Sequence, residues 1–153
     1  MQEAKYSAKV IAKVILRLFD RSSGDLITPL YLQKLLYYVQ AWALVLNGAP
    51  LFNEDFEAWA HGPVVPEVYA EYKGYGFDPI PEPVKWRPVD RDTLDHISTI
   101  LKAYSQYSAK QLEAFTHDED PWISARNGCA PGERCRNIIT KESMRDFYTT
   151  QTE

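Results

Sequence analysis

The segment from Thr28 to Gly48 constrains this chain more than any other. A threonine hydroxyl accepts from free N–H groups at a helix start, and Pro29 suits a first turn where no N–H is needed. Leu32, Leu35, Leu36, Val39, Trp42, Ala43 and Leu46 then recur at helical spacing, and Asn47-Gly48 supplies a left-handed stop. The spacing predicts a helix over 30–46, roughly 25 Å long and so about as wide as a small domain. With so wide an apolar stripe it must be surrounded, so it is expected to be the central element. Leu35, Leu36, Val39, Trp42 and Leu46 are expected to be largely buried.

Shorter helical patterns flank it. Val10, Ile11, Val14, Ile15, Leu18 and Phe19 predict a helix over 7–19 with Ser7 as its cap. Leu94, Ile97, Ile100, Leu101 and Tyr104 mark another over 91–105, and Ser108 with Gln111 forms a capping box opening one through Thr116. Asp120-Pro121 reads as the cap and first turn of a short helix that Gly128 ends, and Thr140 caps a last one carrying Met144, Phe147 and Tyr148. Residues 56–60 alternate and predict a short strand or extended segment. Gly62-Pro63 turns the chain, and Pro66 starts a helix through Tyr72 that Gly74 ends. Residues 77–90 hold four prolines, each lacking an N–H, and read as an extended connector with at most an edge strand. The fold class expected is mainly α: a single compact multi-helix domain over 1–153, with a long central helix and a small extended or β element.

The charge pattern excludes some functions. Net charge is −4 and both signs are mixed along the chain, without the basic stripe of a nucleic-acid binder. Lys9, Lys13 and Arg17 interrupt the first helix, so the N-terminus does not read as a signal peptide. No apolar run approaches the ~20 residues of a membrane span. A cytoplasmic protein without nucleic-acid or membrane partners is expected. The spacing of Cys129 and Cys135 fits neither a redox pair nor a zinc finger, so they read as two free thiols.

Catalytic candidates are few. His61 lies near Glu57, Glu67 and Glu71, and His117 beside Asp118, Glu119 and Asp120. Either histidine with a carboxylate is compatible with acid–base chemistry. A turn histidine, and carboxylates capping a helix start, account for the same residues. The three acids are consecutive and lack calcium-loop spacing. No nucleophile motif, phosphate loop or dinucleotide fingerprint is present. We expect no catalytic constellation, no metal and no cofactor. Aromatics make 13% of the chain, which fits either a tyrosine-rich core or a binding face.

Several stretches together resemble a known family. "LQKLLYYVQ", "LFNEDFEAW" and "GPVVPEVY" followed by "YG" lie within 27–76, and "LEAFTHDEDPW" within 108–126. Jointly they resemble the Panacea-domain antitoxin family of GepA and SocA-like phage-associated proteins. Leu35, Leu36, Trp42, Gly62, Pro63, Pro66, His117, Pro121 and Trp122 are the signature positions, expected to be structural. The chain departs from the pattern at 77–91 and 128–140, which includes both cysteines. The resemblance implies a bare antitoxin domain, without an added helix-turn-helix. It implies direct binding of a cognate toxin encoded by the adjacent gene, and, as in SocA-like members, a role as proteolytic adaptor with a protease complex. Tyr31, Lys34, Tyr38, Trp59, Tyr72 and Tyr75 lie beside the signature segments, off the main stripe, and are the expected partner-binding residues. A small hydrolase using His61 or His117 with Glu57 or Asp118, and a transcription regulator, are the competing readings.

Overall fold

Ser7 accepts the Val10 N–H and opens α1 (Ala8–Leu18), whose Ile11, Val14 and Ile15 face inward. These positions come from a computed structural model that describes residues 3–22 and 24–152. Thr28 caps α2 (Pro29–Leu46) through the Tyr31 N–H, as the sequence predicts. Around this helix pack α3 (Pro66–Tyr72), α4 (Arg91–Tyr104), α5 (Ala109–His117) and α7 (Lys141–Thr149), with α1 alongside. α6 (Asp120–Ala125) joins α5 to the chain leading to α7. The predicted capping box at Ser108 and Gln111 and the Thr140 cap of α7 are both present.

Because helices surround it, α2 is buried on nearly every face, and its polar residues go inside too. Gln33 accepts the Val65 N–H at 2.9 Å, and Gln40 accepts the Leu51 N–H while donating to Phe52 O, both at 2.8 Å. These side-chain amides take the place of a neighbouring strand for irregular backbone that would otherwise be buried unpaired. Leu46 departs from expectation: it is 61% exposed, because the last turn of α2 extends past its neighbours. Trp42 is half-buried, its indole N–H donating to the Tyr104 hydroxyl at 2.7 Å.

The extended element is a three-stranded antiparallel sheet ordered β2-β1-β3, formed by β1 (Phe56–Trp59), β2 (Gly62–Val64) and β3 (Ile138–Ile139). β1 pairs Ala58 with Pro63 and Trp59 with Gly62, and on its other side Phe56 with Ile139. Pro63 is tolerated because β2 is an edge. β3 was not expected; two residues carry no alternation to read. Its partner lies some eighty positions earlier, so only the assembled fold defines it. Residues 77–90 form no regular element; Ile80 anchors one point of the segment, its N–H donating to Ile27 O at 2.8 Å, and the Asp90 N–H donates to the Tyr6 hydroxyl at 2.9 Å.

Candidate functional site

The signature segments meet at one place. Lys34, from the middle of α2, is wholly buried, and its ammonium has no hydrogen-bond partner among the described residues. Gly62 lies directly over it: a β-carbon there would stand 2.7 Å from Lys34 Cε and 3.2 Å from Thr116 Oγ1. Gly62 also has φ +115°, a conformation that side chains resist. On the α5 side, His117 stacks on Trp122 with ring centroids 4.0 Å apart, and its buried Nε2 has no hydrogen-bond partner among the described residues. The Trp122 indole donates to Trp59 O at 2.9 Å, tying α6 to the hairpin. Thus α2, the β1–β2 turn and the α5–α6 junction close over one buried amine.

Burial pulls the Lys34 ammonium down to about 7, with Glu113 opposing that shift. Burial likewise lowers His117, Glu113 again opposing and Lys34 reinforcing. Neither group lines the two hollows described below.

The proposed acid–base pairs do not assemble. His61 sits on the exposed hairpin turn with Nδ1 3.4 Å from Glu113, not beside Glu57, Glu67 or Glu71. Glu57 instead accepts the Trp59 indole N–H at 2.8 Å. Asp118 is the residue ending α5, and Glu119, which stands before α6, makes no side-chain cap. The cap expected at Asp120 is also displaced, since Asp120 is the first helical residue and its carboxylate accepts from Ser124. Glu119 turns inward to Tyr38 and Tyr148. Among the described residues no group of three or more His, Cys, Asp or Glu side chains is placed to hold a metal.

Four of the six expected contact residues are interior, which corrects their placement on an outer face. Tyr31 donates its hydroxyl to Tyr107 O at 2.5 Å and so fastens the α4–α5 loop. Tyr38 stacks on Tyr104 at 4.1 Å and reaches Glu119, Lys34 lies under Gly62, and the Tyr72 hydroxyl accepts from Lys13 at 3.2 Å. The physical reason is the same for all four: α2 and α3 are covered on faces that lie off the main apolar stripe. Trp59 is half-buried against Tyr69, and Tyr75 is 39% exposed. Of the signature positions, Leu35, Leu36, Gly62, Pro63 and Pro121 are buried, while Trp42, Pro66, His117 and Trp122 are half-buried.

The two cysteines are not free thiols: Cys129 and Cys135 form a disulfide with Cα atoms 6.1 Å apart. Gly128 and Gly132, both at positive φ, fold the intervening chain back on itself, which spacing alone does not reveal.

Apolar residues are exposed at several places, including Leu46, Ile123 and Ile138, but the two most exposed stand on the proline-rich strap. Phe77 and Val84 are each 96% exposed, and Leu26, Tyr75 and Trp86 also keep open surface. Two hollows flank the strap, one of about 300 Å³ between Leu26, Ile27 and Pro79–Pro81, the other of about 380 Å³ lined by Lys13, Tyr72, Tyr75 and Val84. Arg17 stacks over Trp86 at 5.2 Å and pairs with Glu82 at 2.6 Å, holding the strap to α1.

The result is a mainly helical domain whose signature residues are buried or half-buried, with Phe77 and Val84 left in solvent on the strap. Residues 32–123 match the family described as "Antitoxin SocA-like, Panacea domain", and the chain belongs to that family. The chain is also 36% identical over 140 residues to Antitoxin SocA of Caulobacter vibrioides (strain NA1000 / CB15N), covering 79% of this chain and 71% of that protein. No solved structure matches. No helix among the described residues is long and apolar enough to cross a membrane.

Proposed function

We propose that this chain is a cytoplasmic, non-enzymatic antitoxin that neutralises a toxin encoded by the adjacent gene through direct protein–protein binding. The observation that carries the reading is the exposed strap, where Phe77 and Val84 stand almost wholly in solvent on a chain of an antitoxin family. Apolar side chains gathered on one surface usually mark an interaction site. A stable specific interface buries about 800 Å² on each partner, which a strap of 14 residues with its flanking hollows can begin to supply. Of the expected set, Tyr75, beside the strap, remains a contact residue, with Trp59 at the hairpin as a secondary contact. Tyr72 lines the hollow beside that surface, whereas Tyr31, Lys34 and Tyr38 are interior residues. Delivery of the toxin to a protease is the second step of the same proposal.

The test is co-expression with the adjacent gene product, followed by co-purification and growth rescue. Wild type should rescue and co-purify, and Phe77→Asp with Val84→Asp should do neither while remaining folded. Full rescue by that double variant would move the interface elsewhere. Absence of binding and rescue by the wild type would remove the antitoxin reading. A toxin half-life unchanged by the antitoxin would remove the adaptor step alone.

A further inference from the structure

We propose that Cys129 and Cys135 are a reversible thiol–disulfide site, opened by small or protein thiols and closed by peroxide, with Cys129 as the reacting sulfur. The loop between α6 and β3 is built to keep these sulfurs together in either state. Arg126 is buried, and its guanidinium donates to Ala58 O of β1 at 2.7 Å and to Ala130 O and Glu133 O at 2.8 Å each. The Cys129 N–H donates to Arg126 O, and the Glu133 N–H to Ala130 O. None of these bonds involves a sulfur, so they remain when the disulfide opens. The two thiols then stay neighbours, and closure remains an intramolecular step.

The two sulfurs differ in access. Cys135 is 1% exposed, whereas Cys129 is half-buried. The Asn137 amide donates toward Cys129 Sγ at 3.6 Å, which favours the thiolate there. An external thiolate attacks Cys129 Sγ, forms a mixed disulfide and expels the Cys135 thiolate, which takes up a proton. A second external thiolate then attacks the external sulfur of the mixed disulfide and releases Cys129, so two thiols become one disulfide. In the reverse direction the Cys129 thiolate attacks one oxygen of hydrogen peroxide. An S–O bond forms, the O–O bond breaks, and hydroxide leaves as water after protonation. Cys135 then attacks the Cys129 sulfenic acid, the S–S bond forms and the second oxygen leaves as water.

Arg134 lies inside the closed loop and Arg136 one residue beyond it, and both are exposed, so cleavage after them reports on closure of the loop. The experiment uses the full chain under native conditions. Thiol counting should give none after peroxide and two after dithiothreitol, through repeated cycles without change in far-ultraviolet circular dichroism. In the reduced protein iodoacetamide should modify Cys129 at least about tenfold faster than Cys135, since reactivity follows exposure and thiolate character. Trypsin should cut after Arg134 or Arg136 several-fold faster in the reduced form. Two thiols persisting after peroxide, a bond that dithiothreitol opens only on unfolding, equal alkylation rates, or equal trypsin rates would each overturn the proposal. Cys135→Ser should accumulate a glutathione adduct on Cys129 when exposed to oxidised glutathione. If that variant does not fold, the wild-type measurements decide.

Discussion

Tyr148 donates its hydroxyl to Glu119 at 2.7 Å, and through that bond α7 is tied to the start of α6. Tyr38 of α2 donates to the same carboxylate oxygen at 2.9 Å. Three elements therefore share one acceptor. Glu119→Ala should strand the Tyr38 hydroxyl, leave Tyr148 only the Tyr37 hydroxyl at 3.3 Å, and cost about 1–3 kcal/mol in urea unfolding, the range for a buried group left unpaired. Tyr148→Phe should cost less, because it removes a donor and leaves Tyr38 on Glu119.

Burial raises the Glu119 carboxyl above its ordinary value, with the Tyr148 and Tyr38 hydroxyls opposing that rise. A raised folded value means that the native state binds the proton more tightly than the unfolded chain. The contribution is therefore full below the ordinary carboxylate range and is lost as pH rises through the folded value. Glu119→Gln should remove this component, so the stability difference between wild type and variant should shift in the wild type's favour as pH falls through that window. Urea midpoints across the mildly acidic range check it.

Lys34 shifts in the other direction. Its folded value near 7 lies below the ordinary 10.5, so from pH 7 to 10.5 the unfolded chain holds a proton that the folded one has released. Stability from this group rises with pH over that window, and below pH 7 the full cost of burying the amine applies, on the order of 5 kcal/mol. Lys34→Met should stabilise the protein at pH 6, and its advantage should shrink markedly by pH 9.5. A variant less stable than wild type at pH 6 would contradict this account.

Gly62→Ala brings a methyl group against Lys34 Cε at 2.7 Å and forces a side chain into φ +115°. The backbone term alone should cost about 1–3 kcal/mol. Combining it with Lys34→Ala should relieve the clash and leave the backbone term, and thermal melting of the single and double variants separates the two.

Tyr31→Phe removes the hydroxyl that holds Tyr107 O at 2.5 Å and Ser105 O at 3.3 Å. A loss of about 1 kcal/mol is expected, with any toxin binding unchanged. Phe77→Asp should do the reverse, leaving stability within about 0.5 kcal/mol while weakening toxin capture. The pair of measurements separates a supporting residue from a contact.

Much of the helical framework was legible because its causes are local. Ser7, Thr28, Ser108 and Thr140 each hold an N–H three residues on, and the inward faces of α1 and α4 follow helical spacing. Phe56–Trp59 read as extended for the same reason. The sheet's third strand was not legible, nor was the closure of Cys129 on Cys135, which depends on two glycines at positive φ.

The sequence by itself determined where helices begin and end, because a cap and an apolar period act over three or four residues. It also carried the signature that places the chain in its antitoxin family. Only the tertiary structure decided which polar residues go inside. Tyr38 meets Glu119 across 81 positions and Gln33 meets Val65 across 32, and Lys34 is covered by a glycine from another element. A tyrosine, lysine or glutamate carries the same side chain in solvent or in the core. What settles the choice is whether a distant segment arrives with a matching group, and that exists only once the helices have packed.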